Sequence, residues 1–199
     1  MARAEEFQTI REGLFFWQAY AASVKADLSC CARRTAKGLV FIDPIPLAEE
    51  ALNELTAGCL PAAIVLTNGN HERAARSLRE RFQIPAYAHR DALPGLGDCV
   101  DLTLEDGEAF MDEFLVIELP GASPGEIALH GGDVLHVGDA LIHLPPLGLS
   151  ILPDKYCSDP KELRRSLGKL LRFQFEALTF AHGLPVITQA RQRLSHLIA

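Results

Sequence analysis

This chain has seven histidines, five cysteines and 26 acidic residues from which a reactive centre would be built. Each chemistry-bearing position also has an ordinary structural reading. Asn68 and Asn70, in the turn Asn68-Gly69-Asn70, suit a turn and a helix cap. Glu72 is favourable at a helix start and lies four residues before Arg76. Arg73 fits a solvated helix face together with Arg76, Arg79 and Arg81. Asp139 after Gly138 suits a turn, and His182 between Ala181 and Gly183 suits a strand end. His89, His130, His136, His143 and His196 show no partner spacing that suggests a site. Other enzymatic routes find little support. There is no Gly-x-Ser-x-Gly elbow, no cysteine in an obvious base-activated context, and no glycine-rich phosphate loop.

The elements that position these residues follow from hydrophobic periodicity. Gly38–Ile42 is an apolar strand entered through a turn at Lys37-Gly38 and ended by Asp43-Pro44. The spacing of Leu47, Ala51, Leu52 and Leu55 predicts a helix, and 62–67 a strand apolar on both faces. A second helix carries Ala75, Leu78 and Phe82, followed by a short strand at 86–89. Alternation over 98–119 predicts two or three antiparallel strands, and Gly131-Gly132 a hairpin between 126–130 and 134–137. Residues 141–152 are apolar and proline-broken, which predicts a loop or edge segment and a candidate dimer surface. Asp159 and Pro160 have the cap and first-position chemistry of a helix with Leu163, Leu167, Leu170 and Leu171 on its apolar face. A buried strand at 177–181 and a terminal helix at 188–197 complete a mixed α/β plan with two helix-covered sheets.

Composition narrows the function classes. With 48% hydrophobic and 23% charged residues the chain is an ordinary globular one, expected to form a single domain over 1–199. A formal charge of −7 argues against nucleic acid or an anionic membrane as partner. Cys30, Cys31, Cys59, Cys99 and Cys157 have no zinc-finger spacing and read as small buried hydrophobes in a reducing, cytoplasmic setting. The first ten residues lack a signal-peptide core, and no apolar run is long enough to span a membrane.

Five runs in order resemble the metallo-β-lactamase superfamily over most of the chain. They are Gly38–Asp43, Ile64–Thr67 entering a polar turn, Pro120-Gly121-Ala122-Ser123-Pro124-Gly125, Val137-Gly138-Asp139 and Phe180-Ala181-His182-Gly183. The resemblance implies a four-layer αββα sandwich with its site at one edge. The family's Thr-His-x-His-x-Asp-His signature reads here Thr67-Asn68-Gly69-Asn70-His71-Glu72-Arg73, and the histidine of its Gly-His-x-Pro-Gly run is Ala122. Asp139 matches the metal-bridging aspartate and His182 the final histidine ligand, while His71 falls between ligand positions. Neutral amides and a methyl group do not bind zinc, and arginine has no acceptor to offer. A dinuclear centre is therefore not expected. The leading expectation is a non-hydrolytic binding or interaction protein with no cofactor, in which Asn68, Asn70, His71, Arg73 and Ser123 line a small-molecule site. The alternative is a hydrolase of small esters, thioesters or lactam-type substrates. It would use Glu72, Asp139 and His182 to hold one zinc, iron or manganese ion that activates water. Arg73 is expected to point inward and pair with Asp139 or Glu72.

Overall fold

Strict alternation of side chains along each strand decides the layering. In the computed structural model, which describes residues 2–199, Leu39 and Phe41 face one way and Val40 and Ile42 the other, all of them buried. The strand they share is the fourth of a seven-stranded sheet whose spatial order follows the chain. Strands β1 (Gln8–Arg11), β2 (Leu14–Ala21), β3 (Ala26–Thr35) and β4 (Gly38–Ile42) form an antiparallel meander. Helix α1 (Glu49–Ala57) then crosses to β5 (Pro61–Leu66), α2 (Ala75–Phe82) to β6 (Ala86–His89), and the short α3 (Leu93–Leu96) precedes β7 (Leu102–Leu104). From β4 to β7 the strands run parallel.

The second sheet contains β8 (Ala109–Phe110), β9 (Phe114–Glu118), β10 (Ile127–Gly131) and β11 (Val134–Val137). A separate hairpin, β12 (Leu141–Leu144) and β13 (Gly148–Ile151), leads to α4 (Pro160–Leu170), β14 (Ala177–Phe180) and α5 (Ala190–Ile198). The spatial order is β14-β11-β10-β9-β8, with β14 parallel to β11.

Three apolar layers hold the sandwich. Phe41, Ile64, Leu66 and Ala88 pack under Leu52, Leu55, Ala75 and Leu78 of α1 and α2. Leu135, Val137, Leu178 and Phe180 pack under Leu163, Leu167, Leu170 and Leu194 of α4 and α5. Between the sheets lie Val40, Ile42, Ala63, Val65, Phe114, Val116, Ile127 and Leu129. At about 1.5–3 kcal/mol for each large side chain removed from water, these layers dominate the fold's stabilisation. The order of layers is the expected αββα sandwich. Cys30 and Cys31 illustrate the alternation, one in the helix-side layer and the other between the sheets.

Asp159 caps α4 as expected, its carboxylate accepting from the backbone N–H of Lys161 and Glu162 at 3.0 Å. The 141–152 segment differs from a plain loop. It folds as the β12–β13 hairpin because Leu141 and Ile142 reach the core, whereas Leu147 at its tip is 71% exposed. No helix among the described residues is long and apolar enough to cross a membrane.

The parallel strands bring the reactive residues to one edge. Asp43 follows β4, residues 67–73 follow β5, Asp139 follows β11 and His182 follows β14. The crevice beyond the carboxyl ends of parallel strands is where α/β sheets place ligands. There the backbone N–H of Ile127 donates to the Thr67 carbonyl at 2.8 Å, which ties the two sheets together beside the site.

Candidate metal centre

Three side chains converge at this edge. His71 Nε2 lies 3.2 Å from Asp139 Oδ1, and His182 Nε2 lies 3.3 Å from the same oxygen. Donor atoms of all three residues sit within 4.8 Å of one another. Gly138 lets Asp139 approach, because a Cβ there would collide with the Thr67 hydroxyl and the Glu126 carboxyl. Gly183, at φ +90°, lets the chain turn after His182 against the His143 carbonyl.

The outer nitrogen of each imidazole decides what the inner one offers. His182 Nδ1 lies 3.1 Å from the Asp27 carbonyl, which only accepts, so Nδ1 carries the proton. His71 Nδ1 lies 3.1 Å from Asp43 Oδ2 and 3.1 Å from Thr67 Oγ1. The Thr67 hydroxyl already donates to Asp43 Oδ2 at 2.6 Å, so His71 Nδ1 also carries its proton. In their neutral forms both imidazoles therefore aim an Nε2 lone pair at one carboxylate oxygen. Acceptors converging in this way call for a cation among them. An outer N–H held by a carboxylate or carbonyl is also the usual orientation of metal-binding histidines.

The same charges also set the protonation of the site when no ion is bound. Burial and the Arg73 guanidinium oppose protonation of His71, yet Asp43 and Asp139 outweigh them and push it up to about 9. Burial alone would raise Asp43, but the charge on His71, with the His136 and His71 rings facing the carboxylate, holds it well below the carboxylate range. Asp139 is likewise held low against burial, by His71 and His182. Glu126 is pushed upward by burial and by the charge of Asp139.

A family model described as metallo-beta-lactamase superfamily matches residues 8–199. The chain belongs to the metallo-β-lactamase superfamily. It is 25% identical over 206 residues to "Probable metallo-hydrolase YflN" of Bacillus subtilis (strain 168), covering 76% of this chain and 78% of that protein. Among solved structures it resembles TTHA1623 in a di-iron-bound form, at 28% identity and TM-score 0.67, over 89% of this chain and 98% of that one. The DIM-1 metallo-beta-lactamase exposed to ceftazidime shares the fold at TM-score 0.79 and 12% identity, over 100% of this chain and 98% of the other.

Several positions of the metallo-β-lactamase signature have new work here. Asn68 donates its amide to Glu126 Oε2 at 2.8 Å and to Asp139 Oδ2 at 3.2 Å. Its side-chain oxygen accepts from the Asn70 backbone N–H at 2.9 Å, which folds the turn. The Asn70 amide donates to Ser123 Oγ at 3.2 Å, and Ser123 in turn lies 3.4 Å from Asp139 Oδ2. Ala122 is buried.

Two expectations are corrected. Glu72 does not join Asp139 and His182; it turns outward to Arg76 at 3.2 Å, as helix-adjacent charges four apart do. His71 takes the third place instead, because the loop backbone aims it inward. Arg73 does point inward, but toward carbonyls rather than carboxylates. Its Nη1 donates to Ser29 O at 2.9 Å and Asp43 O at 3.2 Å, and its Nη2 to Ala181 O at 3.2 Å. Ser29 lies on β3 beyond the point where its pairing with β4 stops, Asp43 and Ala181 just follow β4 and β14, and the Ala181 carbonyl also accepts from the Ser29 backbone N–H at 2.8 Å; a planar fork of donors spans the three carbonyls. Arg73 itself sits at φ +40°. Counting positions along the signature put His71 among the lining residues but not among the ligands; its being the sole histidine of the 68–73 turn was the available signal.

A second grouping, His89 with Glu105 and Glu118, has the opposite character. The Asp91 backbone N–H donates to His89 Nδ1 at 3.2 Å, so Nε2 bears the proton and faces Glu118 Oε1 at 2.7 Å. Glu105 is taken by Arg90 at 2.5 Å. Every member has its partner without an ion.

Proposed function

We propose that this protein is a metal-dependent hydrolase working with one divalent ion, held by His71, Asp139 and His182. The observation that carries the reading is the convergence of two Nε2 atoms on Asp139 Oδ1, at 3.2 and 3.3 Å. Two imidazoles and a carboxylate suit zinc, iron or manganese. When bound, such an ion supplies Lewis acidity and lowers the pKa of a coordinated water. The chain's own groups do the rest. Asp43 and the Asp27 carbonyl orient the two imidazoles, and the Asn68 amide and Ser123 hydroxyl hold the second oxygen of Asp139. Arg73, anchored to the Ser29 and Ala181 carbonyls, puts a fixed positive charge where the superfamily signature has a histidine ligand, which disfavours a second ion. Substrates in keeping with the superfamily are small esters, thioesters or lactam-type molecules. A reducing cytoplasmic setting fits the five free cysteines, and the exposed tip of the β12–β13 hairpin is the candidate homodimer contact.

The non-hydrolytic, cofactor-free reading has one observation in its favour. A proton on His71 can meet the charge of Asp43 and Asp139 without any ion. Metal analysis of protein purified without added metal or chelator separates the two readings, alongside a hydrolysis screen on esters, thioesters and lactams. One equivalent of metal that disappears in Asp139→Ala supports the hydrolase. Well under one equivalent, unchanged in Asp139→Ala, supports the binding protein.

A further inference from the structure

We infer that His136, which touches none of the three candidate ligands, positions the imidazole of His71 through Asp43. The inference rests on the single-ion reading above. His136 lies on β11, where alternation turns Leu135 and Val137 to the helices and Val134 and His136 into the layer between the sheets. That layer is otherwise largely apolar: Leu14, Ile42, Phe114, Leu129 and Val134 surround a small void beside the ring. An aliphatic or aromatic side chain would fill such a place without polar cost, so the imidazole needs a reason.

Its two nitrogens supply one. His136 Nδ1 lies 2.7 Å from Thr179 Oγ1, on the neighbouring strand β14. His136 Nε2 is shut off from solvent and has no hydrogen-bond partner. It lies 3.6 Å from Asp43 Oδ2. A buried ring nitrogen left unmatched is costly, and the facing carboxylate oxygen is what offsets that cost. Because Asp43 Oδ2 can only accept, the ring proton belongs on Nε2, and Nδ1 then accepts from the Thr179 hydroxyl. Asp43 Oδ2 also receives the Thr67 hydroxyl and His71 Nδ1, and Asp43 Oδ1 accepts from the Thr67 backbone N–H at 2.8 Å. Both oxygens of Asp43 thus face donors and act as acceptors. His71 must then carry its proton on Nδ1 and present Nε2 to the ion. The order Thr179, His136, Asp43, His71 thus runs from the intersheet layer to the candidate centre, with each polar proton assigned.

The test compares cobalt(II) binding to chelator-stripped wild type, His136→Phe, His136→Gln and Thr179→Val, with the melting of each metal-free protein recorded in parallel. Wild type is expected to take one equivalent. His136→Phe should bind about tenfold more weakly and show an altered cobalt visible spectrum, the scale expected when an outer partner of a metal ligand is lost. His136→Gln, which can present an amide N–H toward Asp43, should recover affinity to within about threefold of wild type. Thr179→Val removes only the hydroxyl that sets the tautomer and should weaken binding several-fold; it carries the test if the Phe variant does not fold. A wild type that takes up no cobalt overturns the single-ion reading and this inference with it. A wild type that binds one equivalent, with Phe and Val variants equal to it, overturns the inference alone. Equal losses in the Phe and Gln variants do so too, since packing would then explain both.

Discussion

His71 Nδ1 lies 3.1 Å from Asp43 Oδ2, and that contact determines what the opposite side of the imidazole presents. Asp43 is fully buried and takes three further donors: the Thr67 backbone N–H, the Thr67 hydroxyl and, more loosely, His136. Removing its charge strands His71 beside Asp139 with its proton no longer assigned. Asp43→Asn should therefore cost about 3–5 kcal/mol of stability in urea unfolding of the metal-free protein. Adding His71→Gln to Asp43→Asn should return part of it, because the stranded group goes with its partner. Additive losses would show that the two residues do not act together.

The pH dependence of the metal-free protein follows from His71. Its folded value of about 9 lies above the ordinary 6.5, so the folded state holds a proton that the unfolded chain releases. That contribution is complete below about pH 6.5 and drains away as pH rises through 9; 2.5 units correspond to about 3 kcal/mol. Glu126, also raised on folding, acts in the same direction. Urea midpoints at pH 6, 8 and 9.5 in the presence of chelator should fall steadily, and His71→Gln should flatten much of the slope. A wild-type midpoint independent of pH would contradict the assignment.

Metal content should separate neighbours in one turn. His71→Ala should lose the bound ion, whereas Glu72→Gln should keep it and change stability by less than about 0.5 kcal/mol, as surface substitutions do. Elemental analysis of the two variants purified side by side checks this. Loss of metal in Glu72→Gln would restore the set expected from the signature.

Arg73 joins β3 to the residues that follow β4 and β14 through three carbonyls. Arg73→Ala should cost about 2–3 kcal/mol, the scale of charged hydrogen bonds lost at partly buried acceptors. Arg73→Lys should recover little, because one ammonium does not reproduce the fork. A double-mutant cycle with Asp139→Asn should give a coupling small beside that loss, since the two side chains do not pair. A coupling as large as the single-mutant effect would mean a direct ion pair.

The layered architecture was legible in the residues because burial and alternation are local properties. Leu39 to Ile42, Ile64 to Leu66 and the leucines of α4 each declare their buried faces by spacing alone. The order of short runs ending in Asp139 and His182 carried the superfamily. The hairpin at 141–151 was less legible, because an apolar, proline-broken run does not say which of its residues reach a core.

Residue types alone carried the expectation of a site without a dinuclear centre: amides stand at 68 and 70, a methyl at 122 and a guanidinium at 73 where the signature has histidines. Which side chains converge at the site was decided by tertiary structure. The direction of a side chain in a turn depends on backbone dihedrals, here the Asn68–Asn70 hydrogen bond and the left-handed Arg73, which send His71 inward and Glu72 outward. Likewise, nothing along the chain links His136 to Asp43. They meet because β11 and β4 lie in facing sheets whose inner surfaces share one narrow layer, and a buried nitrogen there has few polar atoms to meet.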